Sequence, residues 1–297
     1  MSAEQLLVSW AQWLNEHTLA LTLLLTALAL LAELATRRAD DDAGVRRAWA
    51  KAWSVNVTLF AGMLTVSWML SPWLSPAFNM AFGSQFGLLN RLGIPAISYL
   101  LYVLAGVLLL DLLMYVLHRT MHAVPLLWRL HQVHHSDEQM NASTHFRQHP
   151  GQVLAVTLLQ LPALWLLGIP AVSWVFYAAI STVLQLWQHS ACSSMANGEQ
   201  GIERFLVTPS MHRVHHDTRA QFHHSNYGAV LAAWDRLLGT YRALPRDFRA
   251  GLPSTAQATQ STFLAVLDCL TSPFKQSIPS SPALAKSRFQ PRSQGKA

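Results

Sequence analysis

His118-Arg-Thr-Met-His122, His131-Gln-Val-His134-His135 and His212-Arg-Val-His215-His216 decide how this chain is read. On an α-helix, residues three and four apart lie on one face, so each box aims its imidazoles in one general direction. At the chain's own histidine frequency, an HxxHH pattern is expected by chance about 0.03 times in a sequence of this length. It occurs twice, with an HxxxH box close by. A lone histidine is more often a hydrogen-bonded core or surface residue than a ligand, but eight in three compact boxes form a metal-binding constellation. Eight imidazoles supply four nitrogens to each of two ions, or three with positions left over.

Imidazole suits zinc, copper, iron and nickel, so ligand type alone leaves the metal open. A catalytic zinc needs only three protein ligands and one open position, and the excess here points to a two-metal centre. The HExxH pattern of zinc proteases is absent: Arg119 follows His118, and no box contains a glutamate. Haem uses one or two axial histidines rather than compact triplets. Iron fits best, because its open positions bind O2 and its redox range reaches C–H bonds. Two alternatives stay open, a membrane zinc hydrolase and a histidine-rich metal transporter or sensor. The transporter predicts polar residues within several spans, whereas only Asp111 stands out.

Outward from the boxes the chain is apolar. Of 297 residues 52% are hydrophobic and 12% charged, about half the roughly 25% charge of a soluble domain. Runs at 18–34, 55–74 and 95–117 approach the ~20 residues that cross a hydrocarbon core. The first run has no basic segment before it and no small-residue cleavage site after it, which favours a retained helix over a secretion signal. Runs 153–167 and 171–188, separated by Gly168-Ile169-Pro170, predict a tight helical hairpin that dips into the bilayer and returns. A buried pair of the soluble type is the alternative. The expected fold is an all-α integral membrane protein with about four or five membrane-embedded helices. A cytoplasmic helical cap carries the histidine site.

Arg37, Arg38, Arg46, Arg47 and Lys51 lie between the first two spans, whereas the expected loop 75–94 holds only Arg91. The positive-inside rule then puts the N-terminus outside and the boxes and C-terminus in the cytoplasm. The same basic residues explain the net charge of +6 without a nucleic-acid partner, since they form no basic face. Cys192 and Cys269 build neither a disulfide framework nor a zinc ribbon.

Thr208-Pro-Ser-Met-His212, Asn226-Tyr-Gly228 and Trp234-Asp-Arg-Leu-Leu-Gly-Thr-Tyr241 extend the boxes. Together they resemble the fatty acid hydroxylase / sterol desaturase superfamily over about residues 95–245. The resemblance implies a membrane-bound non-haem di-iron oxidoreductase that hydroxylates or desaturates a lipid, with O2 as co-substrate and a separate electron-donor protein. The apolar runs, the resemblance and the composition together divide the chain into an N-terminal transmembrane region (1–94), a catalytic domain (95–245) and a basic tail (246–297) rich in Ser, Pro and Gln and expected to be largely disordered. Within the tail, residues 263–270 suit a docked amphipathic helix. The resemblance also implies a ninth ligand outside the boxes, for which His189 at the end of the hairpin is the candidate. The ligand set is then His118, His122, His131, His134, His135, His189, His212, His215 and His216. Asp111, Asp137, Asp217, His149 and Asn226 are expected just behind these ligands, orienting them, with Glu138 and Asp235 as further carboxylates near the boxes. Relatives carry a glutamate where this chain has Gln152, which leaves an acidic role there in doubt. His145, His223 and His224 are expected at the pocket rim and His17 at the membrane interface. Trp128, Trp165, Trp174, Trp187 and Trp234 are candidates to line a substrate tunnel, with placement in the interfacial aromatic belt the expected role of most of them.

Overall fold

Leucine and alanine dominate the start of the chain, with no helix breaker among residues 3–36. A computed structural model describes residues 2–36, 42–190, 199–245, 247–252 and 261–275. Arg37, Arg38, Cys192 and residues 276–297 of the tail lie outside the described residues. Helix α1 (Ala3–Thr36) runs 34 residues and α2 (Ala43–Ala81) runs 39. Both outreach the predicted runs, because an apolar window detects only the lipid-matched part of a longer helix. α2 continues through Pro72 and Pro76 into the expected loop, which membrane helices tolerate where neighbouring groups satisfy the freed carbonyls.

Single turns α3 (Leu88–Arg91) and α4 (Ile94–Ile97) lead into α5 (Tyr99–Ala123), whose last turns carry the first histidine box. Val124 is extended, and Pro125 opens α6 (Pro125–His135), which carries the second box. A 3-10 turn at Ala142–Phe146 precedes α7 (Pro150–Leu167), and Gly168 at φ 68° ends that helix in the left-handed conformation that glycine adopts freely. α8 (Ala171–His189) returns to the histidine end of the bundle. α1, α2, α5 and α7 are long and apolar enough to cross a membrane, and the architecture is that of an all-helical, multi-pass membrane protein.

The expected hairpin differs in one respect. α7 packs chiefly on α2, and α8 chiefly on α1 and α5. The two arms splay from their common turn and leave a cavity between them at the histidine end. α5 approaches α8 closely at Gly106, where a Cβ would sit 2.4 Å from Ser173 Oγ. Small residues permit such contacts between membrane helices.

Short helices α9 (Glu199–Ile202), α10 (Pro209–His215), α11 (Ala220–His223) and α12 (Ala233–Leu237) cap that end, and α10 carries the third box. α13 (Thr262–Lys275) docks Ala265 and Cys269 against Val55, Leu59 and Val133, as its apolar patch predicts. A buried polar network ties the cap to the spans. Glu33 accepts from Trp53 Nε1 and Ala142 N, and Arg147 Nη1 donates to Asn56 Oδ1 at 3.1 Å. Asn56 Nδ2 in turn donates to Asp137 at 2.9 Å.

Gly106→Val forces α5 and α8 apart. It is expected to cost about 1–3 kcal/mol, read as a lower thermal midpoint in detergent; an unchanged midpoint would refute the tight contact.

Candidate metal centre

A helix turns about 100° per residue, so positions i and i+4 nearly eclipse while i+3 points some 100° away from i+4. Each HxxHH box is therefore divided. His131 and His135 join His118, His122 and His215, while His212 and His216 join His134 and His189. Within each group the nearest ring nitrogens lie within 4.8 Å of one another. The boxes thus do not each aim at one ion: each sends its i, i+4 pair to one group and its middle histidine to the other. The groups abut, with the rings of His135 and His216 stacked at 4.6 Å between centroids. All nine positions expected from the sequence fall in these two groups, and eight of them are buried, His118 being partly exposed.

Hydrogen bonds to oxygen set the tautomers. His118 Nδ1 donates to the Tyr227 carbonyl at 2.9 Å, and His131 Nδ1 to Gln152 Oε1 at 3.1 Å. His189 Nδ1 donates to the Gln185 carbonyl and His215 Nδ1 to the Ser225 carbonyl, both at 2.7 Å. A neutral imidazole has one N–H, so in each of these rings Nε2 is left with a bare lone pair. Yet His118 Nε2 stands 3.1 Å from His131 Nε2. In the other group, His189 Nε2 stands 2.9 Å from His212 Nε2 and 3.3 Å from His134 Nε2. Two nitrogens bound to one ion at about 2.1 Å and at right angles lie about 3.0 Å apart. The spacing therefore fits two cation sites.

Protonation does not relieve the crowding. Burial, then the neighbouring imidazoles, holds His134, His135, His212, His215 and His216 well below the ordinary histidine range. Burial does the same for His131. These rings are neutral at neutral pH, the form that binds metal.

Comparison with known proteins agrees with the geometry. Residues 103–240 match the fatty acid hydroxylase family. That stretch is a fatty acid hydroxylase domain. Human alkylglycerol monooxygenase is 35% identical over 126 residues, 42% of this chain and 27% of that protein. The ornithine lipid hydroxylase OlsE of Rhizobium tropici is 31% identical over 167 residues, 56% of this chain and 49% of that protein. The chain thus spans about a quarter of the first relative and about half of the second. No solved structure matches it.

Among the described residues, none of the polar side chains expected just behind the ligands hydrogen-bonds a ligand imidazole. Asp111 accepts from Tyr177 Oη, Val230 N, Leu231 N and Trp234 Nε1, none of them an imidazole. Asp235 accepts from Tyr227 N at 2.7 Å and Gly228 N at 2.8 Å. The Gly228 N–H and the Tyr227 carbonyl belong to one peptide unit. Asp235 therefore holds His118 through that peptide, and Asp111 anchors the residues that follow it. Burial raises the Asp235 carboxyl, with bonds from Thr240 and the two amides opposing. Asn226 sits at φ 52° and binds the Met211 and Arg242 carbonyls. Asp137 binds Asn56 and Thr144, and Asp217 binds Arg219. His149 caps α7 through Gly151 N and reaches the Leu270 carbonyl, which fastens α13.

What sequence reasoning missed is the set of acceptors. Gln152 stands where relatives carry an acid, which does not mark it as the acceptor of His131, and three of the oxygens belong to the main chain, which no motif advertises. His224 Nδ1 lies 3.2 Å from His122 Nδ1, and His223 stacks on Trp128 at 5.2 Å. His145 lies 6.1 Å from His189 between ring centroids.

Both groups open onto a cavity of about 200 Å³ between α5, α7 and α8, lined among others by His118, His131, His134, His189 and His212. None of the five tryptophans lines it. Trp128 covers His122 instead, Trp234 serves Asp111, and Trp174 and Trp165 pack on phenylalanines. A second cavity of about 400 Å³, bounded by α1, α2 and α8, shares Gln148 with the first.

Gly228 has no room for a side chain: a Cβ would lie 2.8 Å from Asp235 Oδ2 and 2.9 Å from the Leu231 carbonyl. Gly228→Ala is expected to destabilise by about 1–3 kcal/mol and to lower bound metal by displacing the Tyr227 carbonyl. Gln152→Leu removes the acceptor of His131 and is expected to weaken metal affinity about 10–100-fold. Metal titration of the purified variants checks both.

Proposed function

We propose that this protein oxidises a lipid C–H bond with O2, its nine clustered histidines holding two non-haem irons. The observation that carries this reading is the pair of neutral, lone-pair-lined nitrogen groups opening on one cavity among apolar helices. The likeness to an alkylglycerol monooxygenase and an ornithine lipid hydroxylase supports hydroxylation of a polar-headed lipid. When bound, iron supplies the capacity to activate O2 against an unactivated C–H bond. The chain's own residues do the rest. The carbonyls of Tyr227, Gln185 and Ser225, with Gln152, hold the ligand N–H groups in place. Met114, Met121, Val153 and Val156 give the cavity apolar walls that position the substrate carbon.

At 200 Å³, the cavity is smaller than the roughly 300–1,000 Å³ of a site that encloses a whole small ligand. A segment of the lipid, not the whole molecule, enters it. Arg46, Arg47 and Lys51 stand at the start of α2, the same end as the histidines. That supports a cytoplasmic metal centre served by a separate electron-donor protein.

Metal analysis and labelled O2 test the proposal together. The purified chain is expected to carry about two irons and to give a lipid product bearing the label. His134→Ala and His215→Ala, one from each group, are expected to abolish product and lower bound iron. His17→Ala is expected to do neither, because His17 is exposed and donates only to the Trp13 carbonyl. Two zincs per chain with no labelled product would overturn the proposal in favour of a hydrolase.

A further inference from the structure

Helix α13 (Thr262–Lys275) divides lengthwise into three sectors. Ala265, Val266, Cys269 and Leu270 share one side, and they pack against Val55 and Leu59 of α2 and Val133 of α6. At about 100° per residue, Phe263, Leu264, Leu267 and Phe274 fall within an adjoining arc of about 100°. All four are exposed, Phe263 by 74% and Phe274 by 62%. Thr271, the one polar residue within that arc, donates its hydroxyl to the Leu267 carbonyl. Asp268 and Ser272 occupy the remaining side, in line with Ser261 just before the helix.

Four large apolar side chains exposed along one arc are at odds with plain contact with water. The helix is also too short to cross a bilayer, with 14 residues against the ~20 required. Its place on α2 shows what covers the arc. Thr262 Oγ1 lies 3.1 Å from Ser54 Oγ, and the buried sector meets α2 at Val55 and Leu59. Arg46, Arg47 and Lys51 precede that contact, and α2 carries no charged residue from Ala52 to Ala81. Beyond the contact, Val57, Leu64 and Trp68 are exposed on the outside of the bundle. α13 thus meets α2 where its charged end gives way to its lipid-facing stretch, and brings an apolar arc of its own to that boundary.

We propose that α13 is an in-plane membrane anchor, with Phe263, Leu264, Leu267 and Phe274 in the acyl chains and Asp268 and Ser272 turned to water. A helix seated this way sinks its apolar face about 5–10 Å into the boundary between headgroups and chains. The bilayer is the occupant because the arc adjoins the lipid-facing side of α2, and its four side chains carry neither charge nor hydrogen-bonding group to orient a protein partner. The anchor also bears on the metal centre. His149 Nε2 donates to the Leu270 carbonyl at 3.2 Å, and its ring meets Phe274 edge-on at 5.8 Å between centroids. His149 caps α7, whose Gln152 accepts from His131. Through α13, the bilayer surface holds the first turn of the helix that orients His131. Only the membrane-embedded fold is required for this, not a particular reaction.

Nitroxide labels on introduced cysteines test the seating in the full chain, reconstituted in phosphatidylcholine nanodiscs that leave both bilayer faces open to solvent. The background is Cys192→Ser, whose remaining Cys269 is buried. Phe263→Cys and Leu267→Cys sample the apolar arc, and Asp268→Cys and Ser272→Cys the polar side, one label per variant. Collision with O2, which concentrates in acyl chains, is compared with collision with a water-soluble nickel chelate. The ratio of the two is expected to be about 10-fold higher in the apolar arc than on the polar side. Equal ratios at all four positions overturn the proposal, because the helix then lies wholly in water or wholly in lipid. Exclusion of both reagents from the apolar arc overturns it too, because a protein surface then covers that arc. If one variant of a pair does not fold, as read by gel filtration, the other carries the comparison.

Discussion

Two lone pairs held about 3 Å apart inside a protein repel unless a cation lies between them. That constraint organises this molecule. His118 faces His131, both with Nδ1–H directed outward to oxygen, and His189, held in the same way, faces His134 and His212. Burial keeps the cap imidazoles neutral, so the protein cannot relieve the repulsion by taking up protons. Everything nearby serves to hold this arrangement: helix ends meeting at one level, a polar network beneath the second box, and a loop pinned by two carboxylates.

The dependence runs from the spans to the cap. α5 ends in the first box, α8 ends in His189, and α7 begins with Gln152 against His131. Asp111, inside α5, fixes Val230 and Leu231, while Asp235 fixes Tyr227 and Gly228 from the other side. A carboxylate within an apolar helix is costly, and its four donors offset that cost. The splay of α7 away from α8 is the counterpart of this convergence, because helices packed along their whole length would leave no cavity beneath the metal groups.

Much of this was legible in the sequence. The eight boxed histidines were visible because helical spacing converts a letter pattern into a direction in space; a ninth was implied by the resemblance to the hydroxylase family, and the return of the apolar run to its starting side made His189 the candidate. That each HxxHH box splits follows from the 100° per residue of a helix, but which group each half joins was not legible, since it depends on how α6 and α10 face one another in the fold. Nor were the partners of Asp111: it is expected just behind the ligands, but residues more than a hundred positions later claim the carboxylate. The lengths of α1 and α2 were underestimated because hydropathy registers lipid contact, whereas the helix continues wherever nothing stops it.

The oxygens that orient His118, His189 and His215 all belong to the main chain. Exchanging the side chains at Tyr227, Gln185 or Ser225 leaves each acceptor atom in place. The layer behind these three imidazoles is thus written in backbone path rather than in residue identity. A substitution scan would pass over it almost silently, whereas inserting or deleting one residue in the loop around Gly228 would shift the register of the Tyr227 oxygen at once.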